Sequence, residues 1–155
     1  MTVTVHPSVF TGHNQPGDFG YMLMQEEYAS AFFIFNDNEE EFLAYQGNQG
    51  TSGPGCHAGG GNAGIRPWQC ATPPRAGGIP TGAHGQGYTA LTSEVQGHID
   101  TAVAFIAARI AEHGFTDVYY SSDGHGGLGT GIFEVDPAVK AYIVKQIEGL
   151  ASQSE

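Results

Sequence analysis

The spacing of apolar residues along the chain predicts two helices that each bury one face. From Ser93 onward the apolar positions follow the helical period, with Gln96 completing a capping box and Gly114 as the stop. The second helix has Asp136 as its N-cap and Pro137 at its first position. The apolar faces consist of Val95, Ile99, Ala102, Val103, Ile106 and Ile110 in the first helix, and of Val139, Ile143, Ile147 and Leu150 in the second.

Continuous apolar runs predict strands that are buried on both faces. Residues 31–35 read Ala-Phe-Phe-Ile-Phe and end abruptly at the polar Asn36-Asp37-Asn38, and residues 118–120 form a second run. Weaker strands are predicted around residues 78–81 and 87–91. The order of strand, glycine-rich turn and helix predicts a layered α/β fold with a mainly parallel sheet. The length of the chain, 155 residues, predicts one domain over residues 1–155.

Two glycine-rich segments follow the predicted strands, and we call residues 59–64 the first glycine loop and residues 124–133 the second. Ligands of parallel sheets bind beyond the carboxyl ends of the strands. Glycines leave peptide N–H groups uncovered, and such groups can hold a phosphate without positive side chains. The alternative is that each loop is a plain turn, and that Phe133 is a core residue rather than an edge of a ligand site.

The formal charge of −11, with only five basic residues, argues against nucleic acids and anionic membranes as partners. The chain contains neither a membrane-spanning apolar stretch nor a signal peptide, and we expect a cytoplasmic protein. Cys56 and Cys70 are therefore expected to be reduced. His57, His84 and Cys56 match no zinc spacing, so neither a metal nor a cofactor is expected.

The order of these segments, from Gly17 to about Leu150, resembles the macrodomain family of ADP-ribose-binding modules. The resemblance implies a three-layer α/β/α fold with a mixed, mainly parallel central sheet. Gly17-Asp18-Phe19 is similar to the family's early Gly-Asp-Ile, and residues 31–38 are similar to its strand ending in Asn-Ala-Ala-Asn. The resemblance implies an adenine contact by Asp18 and a ribose contact by Asn36 or Asn38. It implies that the diphosphate and its ribose contact Gly59, Gly60, Gly61, Asn62, Gly129, Thr130, Gly131, Ile132 and Phe133.

This resemblance predicts a small-molecule partner, an adenine nucleotide or another NAD-derived metabolite, or else an ADP-ribosylated substrate. Hydrolytic members carry an acidic residue after the triple glycine, where this chain has Asn62-Ala63. If the protein hydrolyses an ADP-ribosyl or N-glycosidic bond, Asp123 and His125 are the candidate catalytic residues, since both flank the second glycine loop. The alternative is that Asp123 caps the turn and His125 lies on the surface.

Two other interpretations stay open. Residues 126–132 approach the Gly-Gly-x-Gly-Thr-x-x-Glu signature of the lysine-decarboxylase-like nucleotide phosphoribohydrolases, but the glutamate arrives one position late, as Glu134. A small structural or interaction protein, whose glycines serve only packing, would bind no nucleotide. The sequence does not specify an oligomeric state.

Overall fold

The computed structural model describes residues 2–48, 53–131 and 133–153, so the predicted ligand residue Ile132 lies outside the described residues. The strands are β1 (Thr4–Ser8), β2 (Ala31–Asp37), β3 (Ala76–Pro80), β4 (Gly82–Ala83), β5 (Gln86–Gly87) and β6 (Asp117–Ser121). The α-helices are α1 (Phe19–Leu23), α2 (Glu39–Asn48), α3 (Ser93–His113) and α4 (Pro137–Gln153), and two 3-10 helices span Glu26–Tyr28 and Gly61–Gln69.

The main sheet has the order β1-β6-β2-β3, and all of its strand pairs are parallel. This confirms the predicted α/β fold with a mainly parallel sheet. Antiparallel pairing occurs outside this sheet, in the two-stranded hairpin of β4 and β5 and in an isolated bridge between Ser122 and Leu128.

Strand β2 lies inside the sheet between β6 and β3, which explains its unbroken apolar sequence. Phe32 and Ile34 pack in the core cluster that includes α3 and α4, whereas Phe33 and Phe35 pack with α1 and the 3-10 helix Gly61–Gln69. Full burial of each such side chain contributes about 1.5–3 kcal/mol. The prediction of a strand buried on both faces is confirmed, and the strand runs two residues further, to Asp37.

The two predicted helices are confirmed as α3 and α4, with one correction at the start of α3. Its N-cap is Thr92 rather than Ser93, because the Thr92 hydroxyl accepts from the Val95 N–H at 3.1 Å. Gly114 ends the helix in the left-handed region, at φ 71°. Asp136 begins α4 as predicted, with Oδ2 accepting from the Ala138 N–H at 3.0 Å.

The strand predicted at residues 87–91 is wrong, since only Gln86–Gly87 pairs, and it pairs with β4 outside the main sheet. The backbone of Tyr88 is engaged elsewhere: its N–H donates to the Thr81 carbonyl, and its carbonyl accepts from Asp136. The aromatic residue of this segment, Tyr88, is explained by burial of its side chain in the core rather than by a sheet.

The expectation of two reduced thiols is also wrong, because the structure joins Cys56 and Cys70 in a disulfide. Their Cα atoms lie 6.0 Å apart, since the intervening glycine-rich segment folds back through the 3-10 helix Gly61–Gln69. Within the described ranges, no helix combines the length and the apolar character that crossing a bilayer requires.

Candidate functional site

A cleft of about 650 Å³ lies at the carboxyl edge of the parallel sheet. The residues that follow all four main strands contribute to it, because parallel strands end at one edge. Its volume falls within the range of about 300–1,000 Å³ that is typical of small-molecule sites. The lining consists of Val9, Phe10, Asn36, Asp37, Asn38, Gly59, Gly60, Gly61, Asn62, Ala63, Arg66, Thr81, Ser121, Ser122, Asp123, Gly129, Thr130, Gly131 and Phe133.

The first glycine loop contributes peptide groups that the protein itself leaves unused. The loop is closed by hydrogen bonds from the Gly59 N–H to the Ala63 carbonyl and from the Ala63 N–H to the Gly60 carbonyl. No described residue accepts from the N–H groups of Gly60, Gly61 or Asn62. A Cβ atom added at Gly60 or Gly61 would meet no atom within 4 Å, so both face open space in the cleft wall.

Asn62 uses its side chain to position this loop rather than to leave it free for a ligand. Its Oδ1 accepts from the Phe19 N–H at 2.9 Å, and its Nδ2 donates to the Gly17 carbonyl at 3.3 Å and to Ser121 Oγ at 3.2 Å. The amide thereby joins the loop to the start of α1 and to the end of β6. Of Asn62, the backbone N–H is the group still available to a ligand.

A buried ion pair lies beneath the first glycine loop and links it to the end of β2. The Arg66 guanidinium donates to Asp37 Oδ1 from Nη2 at 2.8 Å and from Nε at 3.2 Å, and donates from Nη1 to the His57 carbonyl at 2.9 Å. The two side chains are only 6% and 1% exposed. Burial raises the pKa of the Asp37 carboxyl above its ordinary value, against the opposing attraction of Arg66. A Cβ atom added at Gly59 would lie 2.8 Å from Arg66 Nη1, so the loop packs directly against the Arg66 guanidinium.

The second glycine loop is held mostly by its own residues. Asp123 Oδ1 accepts from the N–H groups of His125 at 2.7 Å and Gly127 at 3.0 Å, and the Ser122 hydroxyl accepts from Gly124. Further from the turn, the Gly129 N–H donates to the Ser121 carbonyl. In the part of the loop that the structure describes, the N–H groups of Thr130 and Gly131 have no acceptor among the described residues.

Asn36 and Asn38 both line the cleft, and each has one end of its amide committed to the fold. Asn36 Nδ2 donates to the Gly129 carbonyl at 2.6 Å, which ties β2 to the second glycine loop. Asn38 Oδ1 accepts from the Glu41 N–H at 2.8 Å and so caps α2. A ligand would therefore meet an acceptor at Asn36 Oδ1 and a donor at Asn38 Nδ2.

Two residues predicted for the site lie outside the cleft lining. The Asp18 carboxylate caps α1 by accepting from the Gly20 N–H, and its second oxygen accepts from the Asn14 N–H. His125 is exposed and does not border the cleft, and Glu134, the displaced glutamate of the rival signature, is likewise exposed and outside the lining.

Asp123 lines the cleft, but its environment suits a cap better than a proton acceptor. The N–H groups of His125 and Gly127 lower the pKa of its carboxyl below the ordinary value. A carboxylate stabilised in this way is a weak base near neutral pH. The geometry therefore favours the capping interpretation of Asp123 over the catalytic one.

Asp37, Arg66 and Phe10 line the cleft but are not among the site residues that the sequence predicts. Asp37 and Arg66 were visible as an acidic residue at a strand end and as the lone basic residue after a glycine loop, but only the fold brings them within 2.8 Å. Phe10 is 45% exposed in the cleft wall, and its neighbour Val9 is 42% exposed. Two exposed apolar side chains on a cleft are a signal that sequence periodicity does not reveal.

No family model, curated protein or solved structure matches the chain.

Proposed function

We propose that the protein binds ADP-ribose or a related adenine nucleotide in this cleft, with the diphosphate held by backbone N–H groups of both glycine loops. The observation that carries the proposal is that five N–H groups, those of Gly60, Gly61, Asn62, Thr130 and Gly131, belong to lining residues and lack an acceptor among the described residues. Clusters of N–H groups like these bind anions through their aligned dipoles.

The charges of the cleft are consistent with recognition by dipoles. Among the described lining residues Arg66 is the one cation, and Asp37 already balances its charge. A diphosphate would therefore be solvated by peptide groups, much as water solvates it. This arrangement accounts for phosphate binding by a chain whose formal net charge is −11.

The remaining lining residues suit the other parts of a nucleotide. The free amide ends of Asn36 and Asn38 can accept from and donate to ribose hydroxyls. Phe133 offers an apolar face to the sugar, and the exposed Val9 and Phe10 offer one to the base. In this proposal Asp18 shapes α1 and makes no contact with the base.

Isothermal titration calorimetry with ADP-ribose, ADP, AMP and ribose 5-phosphate tests this function. We expect one ADP-ribose per chain, and weaker binding of AMP and ribose 5-phosphate, because each carries only one phosphate for two loops. Saturation at 100 times Kd should stabilise the fold by about 2.7 kcal/mol in a parallel thermal-shift measurement. Equal affinity for ADP-ribose and AMP, or no binding of any diphosphate at millimolar concentration, would reject the proposal.

A further inference from the structure

Three metal-ligating side chains meet where α2 and α3 begin, outside the cleft lining. Glu94 and His98 stand four residues apart on α3 and so share one helix face, and Glu39 is the first residue of α2. His98 Nε2 lies 3.5 Å from Glu39 Oε1 and 3.8 Å from Glu94 Oε1. One ligand atom from each of the three residues lies within 4.8 Å of the others.

These distances differ from those of a histidine that is hydrogen-bonded to a carboxylate. In the same molecule, His6 Nε2 contacts Asp117 Oδ1 at 2.8 Å, which is a direct hydrogen bond. The His98 imidazole, in contrast, makes no direct hydrogen bond to a side chain or backbone group of the described residues. Two ligand atoms bound at about 2.0–2.1 Å to one tetrahedral zinc ion lie roughly 3.4 Å apart. The His98 contacts are thus close to the spacing of ligands that share an ion.

Neighbouring residues hold the cluster in place. The Tyr88 hydroxyl donates to Glu39 Oε1 at 2.9 Å, and the ring of Phe42 packs edge-on against His98 with centroids 6.0 Å apart. Such contacts orient metal ligands in known sites. The side chains of Glu39 and His98 are 20% and 22% exposed, so much of their surface is removed from water.

The charges of this region also favour a cation. Among the described residues, the one ion pair of a lysine or arginine with a carboxylate is that of Arg66 with Asp37. In the part of the chain that the structure describes, the carboxylates of Glu39 and Glu94 therefore have only histidine as an ionic partner. With a neutral imidazole, the two carboxylates carry two negative charges, which a divalent ion balances.

We propose that Glu39, Glu94 and His98 bind a divalent transition-metal ion such as Zn²⁺, with water completing its coordination. Imidazole suits zinc and its neighbours in the first transition row, whereas Mg²⁺ and Ca²⁺ take oxygen ligands. Glu94 and His98 are four residues apart, but Glu39 comes from a distant part of the sequence, so the set of three matches no spacing motif. This site is separate from the nucleotide cleft and does not rest on the proposed function.

Zinc titration of chelator-treated protein against a chromophoric competitor tests the site. We expect one Zn²⁺ per chain, with an affinity that falls at least tenfold in His98→Ala and in Glu94→Gln. Glu94 has a side chain that is 80% exposed, so Glu94→Gln should keep the wild-type melting temperature without metal. His113→Ala is the matched control, because His113 also lies on α3 and its Nε2 is 4.0 Å from Glu112 Oε1.

Several outcomes would overturn the proposal. These are dissociation constants above about 100 μM for wild type, unchanged zinc affinity in both His98→Ala and Glu94→Gln, or binding that is lost in His113→Ala instead. Tighter binding of Mg²⁺ or Ca²⁺ than of Zn²⁺ would reject the assigned class of metal. In an ADP-ribose titration, Glu94→Gln should behave like wild type, whether or not wild type binds ADP-ribose. The metal-site proposal and the nucleotide-binding proposal can therefore fail separately.

Discussion

The two glycine loops border the same cleft but are held in place in different ways. The first lies inside the segment that the Cys56–Cys70 disulfide closes, and the Arg66–Asp37 ion pair and the amide of Asn62 join it to distant parts of the chain. The second has one long-range tie, from Asn36 Nδ2 to the Gly129 carbonyl, and is otherwise held by Asp123, which accepts from N–H groups two and four residues further along. The first loop is thus fixed by several distant contacts, whereas the second depends more on its own turn. Rigid positioning lowers the entropic cost of binding.

The largest effect is expected from breaking the ion pair beneath the first loop. Arg66→Met leaves the Asp37 carboxylate buried without its cationic partner, and should lower the free energy of unfolding by about 3–5 kcal/mol. Denaturant titration measures this loss. The double variant Arg66→Met/Asp37→Leu should recover much of it, because neither charge then remains buried. A loss below about 1 kcal/mol in the single variant would show that the pair does not support the loop.

The free energy of unfolding of the same single variant should also depend on pH. Burial raises the folded-state pKa of the Asp37 carboxyl, so the folded chain binds that proton more tightly than the unfolded chain does. The free energy of unfolding of Arg66→Met should therefore rise as the pH falls through that folded-state pKa toward the ordinary value of an aspartic acid. A curve that falls over this range would contradict the assigned direction.

The next largest effect is expected from removing the disulfide. Cys56→Ser/Cys70→Ser should lower the free energy of unfolding by about 3 kcal/mol, the value for a closed loop of similar length. The affinity for ADP-ribose should fall as well, because Gly59, Gly60 and Gly61 lie inside the closed segment. Wild type in reducing agent should behave like the double variant, and the double variant itself should not respond to the agent. Identical free energies of unfolding for wild type with and without reducing agent would contradict the presence of the disulfide.

A smaller effect is expected from alanine in the second loop. Gly131 has φ +60°, so Gly131→Ala should lower the free energy of unfolding by about 1–2 kcal/mol and also weaken ADP-ribose binding. Gly85 has φ +77° in the β4–β5 hairpin, and its Cβ would also meet open space. Gly85→Ala should therefore show the same loss of stability with unchanged affinity. Equal ADP-ribose affinity in Gly131→Ala and Gly85→Ala would show that Gly131 does not contact the ligand.

The smallest effect is expected from neutralising Asp123. Its carboxylate lines the cleft and stays ionised at neutral pH, so it repels an anionic ligand. Asp123→Asn should leave ADP-ribose affinity unchanged or raise it by less than tenfold, with a weaker dependence on salt. Calorimetry at two salt concentrations measures both. A fall of more than tenfold would instead assign Asp123 a direct role with the ligand.

The sequence was informative wherever a structural cause is local. The run around Phe33 predicted β2, and the caps at Asp136 and Gly114 predicted helix ends, because each depends on a few neighbouring residues. Both glycine loops were found for the same reason. That they line one cleft followed from the parallel order of the strands that precede the site.

What the sequence missed depends on residues brought together from afar. The partner of Arg66 is 29 positions away, and Asn62 reaches Ser121 across 59 positions. The disulfide was misjudged because a rule about cellular compartment took the place of geometry. Tyr88 was misplaced in a strand because burial in a core and burial in a sheet favour the same residue type.

The central claim is that a ligand approaches the peptide backbone of the first loop, and Gly60 tests it most directly. Its φ of −79° and ψ of 158° suit any residue, and an added Cβ would meet no protein atom within 4 Å. Gly97, inside α3, has equally open space and serves as the control. Calorimetry should find ADP-ribose affinity at least tenfold lower in Gly60→Ala and unchanged in Gly97→Ala, with neither variant less stable than wild type. Wild-type affinity in a folded Gly60→Ala protein would contradict the account.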